Sequence, residues 1–523
     1  MKKKKLTLAF ATLACLGLLA ACGGSKDSGS DDKGSDKADG VTLWTPFTMP
    51  SQTVSSWRES PFHKGLAEAS GIDVEWEFPS EGTDSVQAFN LMMSEKTLPD
   101  IICYGVRNDA QSYIDDDVIY DLTDMLKEKA PNYWKFLQEN PDFDKAMKTD
   151  KGRYYGFGFF RDPRQPATFI GPMIRKDWLD DNNLPVPTNI AQWETTFKTF
   201  KEKYGANMAW VYDKMDPGFA GAFGAYGTAI PTFYLDDNKK VQYAQAQPEW
   251  KDYMAWMHKM YEKGYIDPDI VTLDDEGLKT KVANDKVGVS NSYASQVTVF
   301  NDNAKASNSD AEWVPTIYPD QANGKPSAAI FDDGSVQFPT YVITKSCKGK
   351  DLDEAFKWLD FAFTEEGSNY WNFGKEGDTW EMVDGVPKFT DKVFDNELGI
   401  FEAKTLYTGN RGTGLGLQKV EATAVNKTDD PLTSSVSVTW YNKNDEAREH
   451  RLNVPLTFTS EEGKQVATIK DTLDSYVKEN TYDFITGDRS LDTFDDFVSE
   501  MNDLGLKDLQ KINQDAYDRY VNR

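Results

Sequence analysis

Residues 72–78 read Ile-Asp-Val-Glu-Trp-Glu-Phe, with Ile72, Val74, Trp76 and Phe78 on one face and Asp73, Glu75 and Glu77 on the other. Strict alternation over seven residues is the period of a strand with one buried face. Outward from it, short apolar runs recur at 100–104, 154–160, 169–174, 208–212, 287–290 and 341–344. Stretches of helical spacing separate many of them. Residues 250–261 place Trp250, Tyr253, Met254, Met257 and Met260 three and four apart, and Gly264 is a C-cap signal. Residues 353–363 predict another helix, closed by Gly367. The C-terminal stretch predicts two more, on Phe494, Phe497, Val498 and Met501 and on Leu509, Ile512, Ala516 and Tyr520. Val436, Val438 and Trp440 alternate as in a strand, with Trp440 in the core. Strands alternating with helices predict an α/β protein with largely parallel sheets in more than one domain.

Composition bounds the function. The 523 residues suffice for two to four domains, at roughly 150 each. A net charge of −27 argues against nucleic acid, because neutralising phosphates takes clustered Lys and Arg. No helix-length apolar run follows residue 21, so no spanning segment is expected there. Before it, Lys2 to Lys5 form a charged start, residues 6–21 an apolar stretch, and Leu19-Ala20-Ala21-Cys22 ends it. This is the pattern of a bacterial lipoprotein signal peptide over residues 1–21, with Cys22 as the lipidated residue. Two acyl chains give stable anchoring where one is marginal. Losing residues 1–21 takes the charge from −27 to −31. From Cys22 to residue 40 the chain is polar and cannot order itself, a flexible tether spanning about 20–25 Å. Cys103 lies in an apolar run and reads as a packed thiol; a disulfide with Cys347 stays open.

Catalytic patterns are lacking. The sequence contains no GxxxxGK[ST], GxGxxG or GxSxG, and His63, His258 and His450 stand far apart. Asp180-Asp181-Asn182-Asn183 lacks the glycine and closing glutamate of a calcium loop. Pairs such as Asp332-Asp333 could do glycosidase work, but in a chain with 85 acids such a pair is more often a solvated face. No catalytic residue, cofactor or metal is expected.

Several blocks resemble the extracellular solute-binding lipoproteins of ABC importers, specifically the large oligosaccharide-binding branch. They are Leu98-Pro99-Asp100-Ile101-Ile102; Ile174-Arg175-Lys176-Asp177-Trp178-Leu179 with Leu184-Pro185-Val186-Pro187-Thr188; and Tyr261-Glu262-Lys263-Gly264-Tyr265-Ile266-Asp267-Pro268-Asp269. Gly374-Lys375-Glu376-Gly377, Phe484-Ile485-Thr486-Gly487 and Gln514-Asp515-Ala516-Tyr517 follow in order. The calcium loop of that branch would fall near residues 200–213, where Phe200-Lys-Glu-Lys-Tyr204-Gly-Ala-Asn-Met208 stands instead, so no bound calcium is expected. The resemblance implies a two-lobed periplasmic-binding-protein-like (type II) fold with a hinge and an interdomain cleft. By that analogy lobe 1 takes residues 41–165 and 333–400, and lobe 2 takes 166–332 and 401–523.

Rigid aromatic planes cover the C–H faces of a sugar, and charged or amide groups take its hydroxyls. Loops at the C-terminal ends of strands are the expected position. This singles out Trp44, Tyr104, Arg107, Trp210, Asn291, Tyr293, Trp371, Glu376 and Trp380 as ligand-binding candidates. The competing reading for each aromatic is core packing. Arg161 and Arg164 fall in the first crossing between lobes, where they either reach the cleft or cap and solvate the crossing, the second reading being preferred. The expected function is an oligosaccharide receptor, not an enzyme. It would be a monomer, held by its lipid on the outer face of the bacterial cytoplasmic membrane, and would deliver its ligand to ABC permease subunits. Global charge favours neutral sugars over uronates. Alternatives are a peptide or other small-solute receptor on the same scaffold, a surface glycoside hydrolase, or an adhesin.

Overall fold

The computed structural model describes residues 40–47, 51, 53–80, 82–165, 168–211, 217–226, 231–329, 334–409, 413–428, 436–441 and 445–523. The leader, Cys22, all of the tether but Gly40, and Asp332-Asp333 lie outside them.

The alternating stretch forms the strand Val74–Glu77 at the edge of a six-stranded sheet. Inward from it come Val41–Trp44, Ile101–Tyr104, Val336–Ile343, Phe157–Arg161 and Gly416–Gln418. A second sheet of four strands runs Trp313–Pro315, Ile170–Arg175, Val287–Tyr293, Asn207–Trp210. Each sheet has its own hydrophobic core. The sheets are mixed, which corrects the expectation of largely parallel ones: Val336–Ile343 is antiparallel to both neighbours, and Ile170–Arg175 likewise. The chain passes from one sheet to the other and back, so a strand returning from the second sheet enters the first in reverse.

Asp100 shows why one sequence block matters. Its buried carboxylate accepts the backbone N–H and the hydroxyl of Thr42, both at 3.0 Å, and its own N–H donates to Thr42 Oγ1 at 2.9 Å. Adjacent strands are thereby fixed in register at the end away from the cleft. In the second lobe the Arg175 guanidinium grips Asp177 through Nε and Nη2 (2.8 and 2.6 Å), reaches Asp285, and lies 4.1 Å over the Trp178 ring. Asp267, in another block, accepts Lys281 Nζ at 2.8 Å and the Asp269 N–H at 2.9 Å.

Three local expectations are corrected. Gly367 does not close the helix Lys350–Phe361; it lies in the next one, Glu365–Phe373, where a Cβ would meet the Phe361 carbonyl oxygen at 1.8 Å. Residues 436–441 form a helix, Val436–Tyr441, rather than a strand. The buried Trp440 ring covers Gly171, and its indole N–H donates to the Pro172 carbonyl at 3.1 Å. The strand Gly416–Gln418, placed in lobe 2 by analogy, pairs within the first sheet: Gly416, Leu417 and Gln418 pair with Phe159, Phe160 and Arg161. Helix Ile400–Tyr407 packs on Phe373, Trp380 and Phe389 beside them. Cys103 and Cys347 are buried and are not joined to each other, and burial pushes the Cys103 thiol up to about 12.

Candidate functional site

The cleft-facing ends of the two sheets carry aromatic rings. In the first lobe Trp44 and Tyr104 end adjacent parallel strands, with ring centroids 6.4 Å apart at 78°. Tyr104 meets Phe338 edge-on at 5.6 Å, and Phe47 meets Phe338 edge-on at 5.7 Å. Phe338 is 60% exposed although it lies in a strand. Two other rings thus back a large apolar ring that is itself left open.

In the second lobe Tyr293 ends its strand and stacks on Phe169, with centroids 5.9 Å apart at 13°. Arg161 joins the two groups across the first crossing. Its Nη2 donates to Gln337 Oε1 at 3.1 Å, next to Phe338, and its guanidinium carbon lies 6.0 Å over the Phe169 ring. Of the two readings of Arg161, its position between Gln337 and Phe169 agrees with the one that takes it towards the cleft. Arg164 behaves as expected, clamping Asp162 through Nε and Nη2. Burial alone would raise the Asp162 carboxyl, but the hydrogen bonds from Arg164 hold it below the usual carboxylate range.

The other expected residues divide. Arg107 is half-buried beside the cleft and donates through Nε to the Tyr155 hydroxyl at 3.3 Å. Trp210 and Asn291 are register partners on paired strands, 2% and 3% exposed. Among the described residues Trp210 Nε1 and Asn291 Oδ1 meet no hydrogen-bond partner, which is unusual for buried polar atoms. Trp44 is buried as the backing of Tyr104. Trp371, 1% exposed, packs on Phe62 and Trp358 in the first core. Trp380 is buried against Phe373 and donates through Nε1 to the Gly374 carbonyl at 3.0 Å. Glu376 is exposed on a separate cavity within the first lobe, beside Glu68, Glu365 and Tyr370. Trp371, Glu376 and Trp380 are thus not brought to the cleft. The helix Glu365–Phe373 turns Trp371 inward, and the hairpin of Trp380–Val383 and Val386–Phe389 folds over Trp380.

Sequence reasoning missed Phe338, Phe169 and Gln337 as cleft residues. Phe338 stands in Val336-Gln337-Phe338-Pro339-Thr340, ahead of the apolar run at 341–344, and nothing in that pattern separates an exposed ring from a core one.

Two cavities sharing Ser335 and Asn453 open along the junction, of about 480 and 340 Å³. The larger lies between Glu139–Phe143, the crossing from Arg161 to Gln165, and Tyr441, Arg448 and Arg451. The smaller lies between Gly105–Asn108, the start of Val336–Ile343, and Asn453–Pro455. Among the described residues no group of three or more His, Cys, Asp or Glu is placed to hold a metal ion. Among them, too, no helix is long and apolar enough to cross a membrane.

A model of the bacterial extracellular solute-binding protein family matches residues 50–369. The fructooligosaccharide ABC transporter substrate-binding protein FusA of Streptococcus pneumoniae serotype 4 is 24% identical, covering 97% of this chain and 96% of its own. Lipoprotein LipO of Bacillus subtilis is 24% identical over 78% of each. The solved structure of S. pneumoniae FusA in complex with kestose superposes with a TM-score of 0.73 at 20% identity, covering 92% of this chain and all (100%) of that one.

Proposed function

The chain belongs to the family of bacterial extracellular solute-binding proteins, and from that premise we propose that it captures an oligosaccharide between its lobes and delivers it to an ABC permease. The observation that carries this reading is the pair of aromatic groups, Phe47–Tyr104–Phe338 and Phe169–Tyr293, linked through Gln337 and Arg161. Flat rings on opposite lobes suit the two C–H faces of a pyranose or furanose ring, and the amide and guanidinium between them suit its hydroxyls. FusA, similar over nearly the whole chain, is described as binding fructooligosaccharides, which favours a sugar over a peptide.

In this reading the ligand holds the lobes together, and release follows when the permease favours the open form. The protein performs no chemistry and acts as a monomer. It is anchored on the outer face of the cytoplasmic membrane by acyl chains on Cys22, with residues 23–40 as its leash. The test is a thermal-shift screen of residues 23–523 against oligosaccharides, monosaccharides and peptides. A ligand of the folded state raises the midpoint by mass action. The expected result is a rise with one oligosaccharide family and none with monosaccharides; a flat glycan screen with a rise for peptides overturns the reading.

A further inference from the structure

Gly105 directly follows Tyr104, where the strand Ile101–Tyr104 ends at the cleft. Its φ lies outside the left-handed region, so the backbone does not require glycine here. The space beside it does. A Cβ at Gly105 would lie 1.8 Å from Cε2 of the Phe338 ring and 2.7 Å from both Cδ2 and Cζ. Carbon atoms in ordinary contact are about 3.5–4.0 Å apart, so the ring already occupies the place of the missing side chain. The two longer distances are equal, and an atom above the ring face at that height would lie closer to both carbons. The missing Cβ therefore falls in the ring plane, outward from Cε2, and Phe338 stands with its edge on the Gly105 backbone.

The ring is steadied on its flanks as well. Tyr104 and Phe47 meet it at 73° and 78°, with centroids 5.6 and 5.7 Å away. Gly105 and Phe338 both line the smaller junction cavity, and the ring remains 60% exposed. A ring seated by its edge keeps a flat face free for a ligand. That face is useful only at the right height and tilt, since a gap of about 0.5–1 Å forfeits a quarter to a half of a dispersion contact. A side chain at position 105 would have to lift the ring by about 2 Å or turn it away.

We propose that Gly105 is a positioning residue of the oligosaccharide site: its bare backbone seats the Phe338 ring edge-down, so that the ring face stacks on one sugar of the bound chain. This rests on the oligosaccharide reading above and adds to it the backbone position that sets the height and tilt of that ring.

The experiment is calorimetric titration of residues 23–523 with fructo-, malto-, cello-, xylo- and galacturono-oligosaccharides. It compares the unmodified chain with Gly105→Ala, Phe338→Ala and the double variant. For each sugar that binds, Gly105→Ala should lose affinity roughly tenfold, as Phe338→Ala does. The double variant should bind no more weakly than Phe338→Ala alone, because without the ring the added methyl group has room. Such non-additivity reports coupling between the two positions, whereas a general disturbance of the strand end would add to the loss. If Gly105→Ala fails to fold, adding Phe338→Ala should restore folding, and failure to do so overturns this inference. Unchanged affinity in Gly105→Ala, or losses that add in the double variant, overturns it too and leaves oligosaccharide capture standing. Binding of none of these sugars by the unmodified chain overturns both.

Discussion

Arg519, on the C-terminal helix Leu506–Val521, donates through Nε to the Asp150 carboxylate of the first lobe at 2.5 Å. The same carboxylate accepts Arg523 and, at 2.7 Å, the hydroxyl of Thr457. Leu506 and Leu509 of that helix belong to the second core, while Ala146 and Met147, just before Asp150, belong to the first. One nearly buried carboxylate therefore ties the end of the chain to the opposite lobe.

Asp150→Asn leaves two guanidinium groups facing an amide. Removing one partner of a largely buried charge network costs about 3 kcal/mol. In scanning calorimetry the variant should unfold at a clearly lower temperature than the unmodified chain; an unchanged midpoint would mean that the contact contributes nothing to joining the lobes.

Phe338→Ala should separate binding from stability. The ring is 60% exposed, so its loss leaves the midpoint of thermal unfolding within about a degree. Ligand affinity should drop roughly tenfold, about 1.4 kcal/mol, in calorimetric titration. A large loss of stability with unchanged affinity would make Phe338 a packing residue.

Trp371→Ala should do the reverse. The side chain is sealed among Phe62 and Trp358, and truncating such a ring costs about 3–5 kcal/mol. Urea unfolding should show that loss, and the protein that remains folded should bind ligand with unchanged affinity.

His63 gives a pH dependence. It is buried with its ring edge-on to Trp76 at 4.6 Å, and burial lowers its pKa from 6.5 to about 3. The native imidazole stays neutral while the unfolded chain takes up a proton below pH 6.5. This contribution to stability is therefore intact above that pH and is lost as the pH falls towards 3. At pH 4.5 the loss from this residue is about 3 kcal/mol. His63→Gln should remove that part of the slope in urea unfolding at pH 7 and 4.5, and an unaltered slope would contradict a neutral buried imidazole.

The scaffold was legible because its signals are local. Alternation at Val74–Glu77 and the 3/4 spacing of Pro248–Glu262 each follow from one element's own burial. Asp100, Arg175 and Asp267, conspicuous within their sequence blocks, turn out to fix strand, helix and turn rather than to touch the cleft. The site was less legible because it depends on which face of an element meets the other lobe. Tyr104 and Tyr293 were singled out because strand ends point into a crevice, and both do end their strands. Trp371 was misplaced because one helical turn decides between cleft and core, and Phe338 was passed over because exposure within a strand leaves no mark on its period. Strand direction also escaped, since a chain crossing twice between sheets reverses direction without changing composition.

The measurement that tests capture between two lobes most directly is calorimetric titration of an oligosaccharide hit with the unmodified chain, Phe338→Ala and Tyr293→Ala. The two rings stand on opposite lobes and touch different strands. If one ligand bridges them, each variant should lose affinity by roughly tenfold while keeping the same stoichiometry. Loss confined to one variant, or the absence of any glycan that binds the unmodified chain, would contradict it.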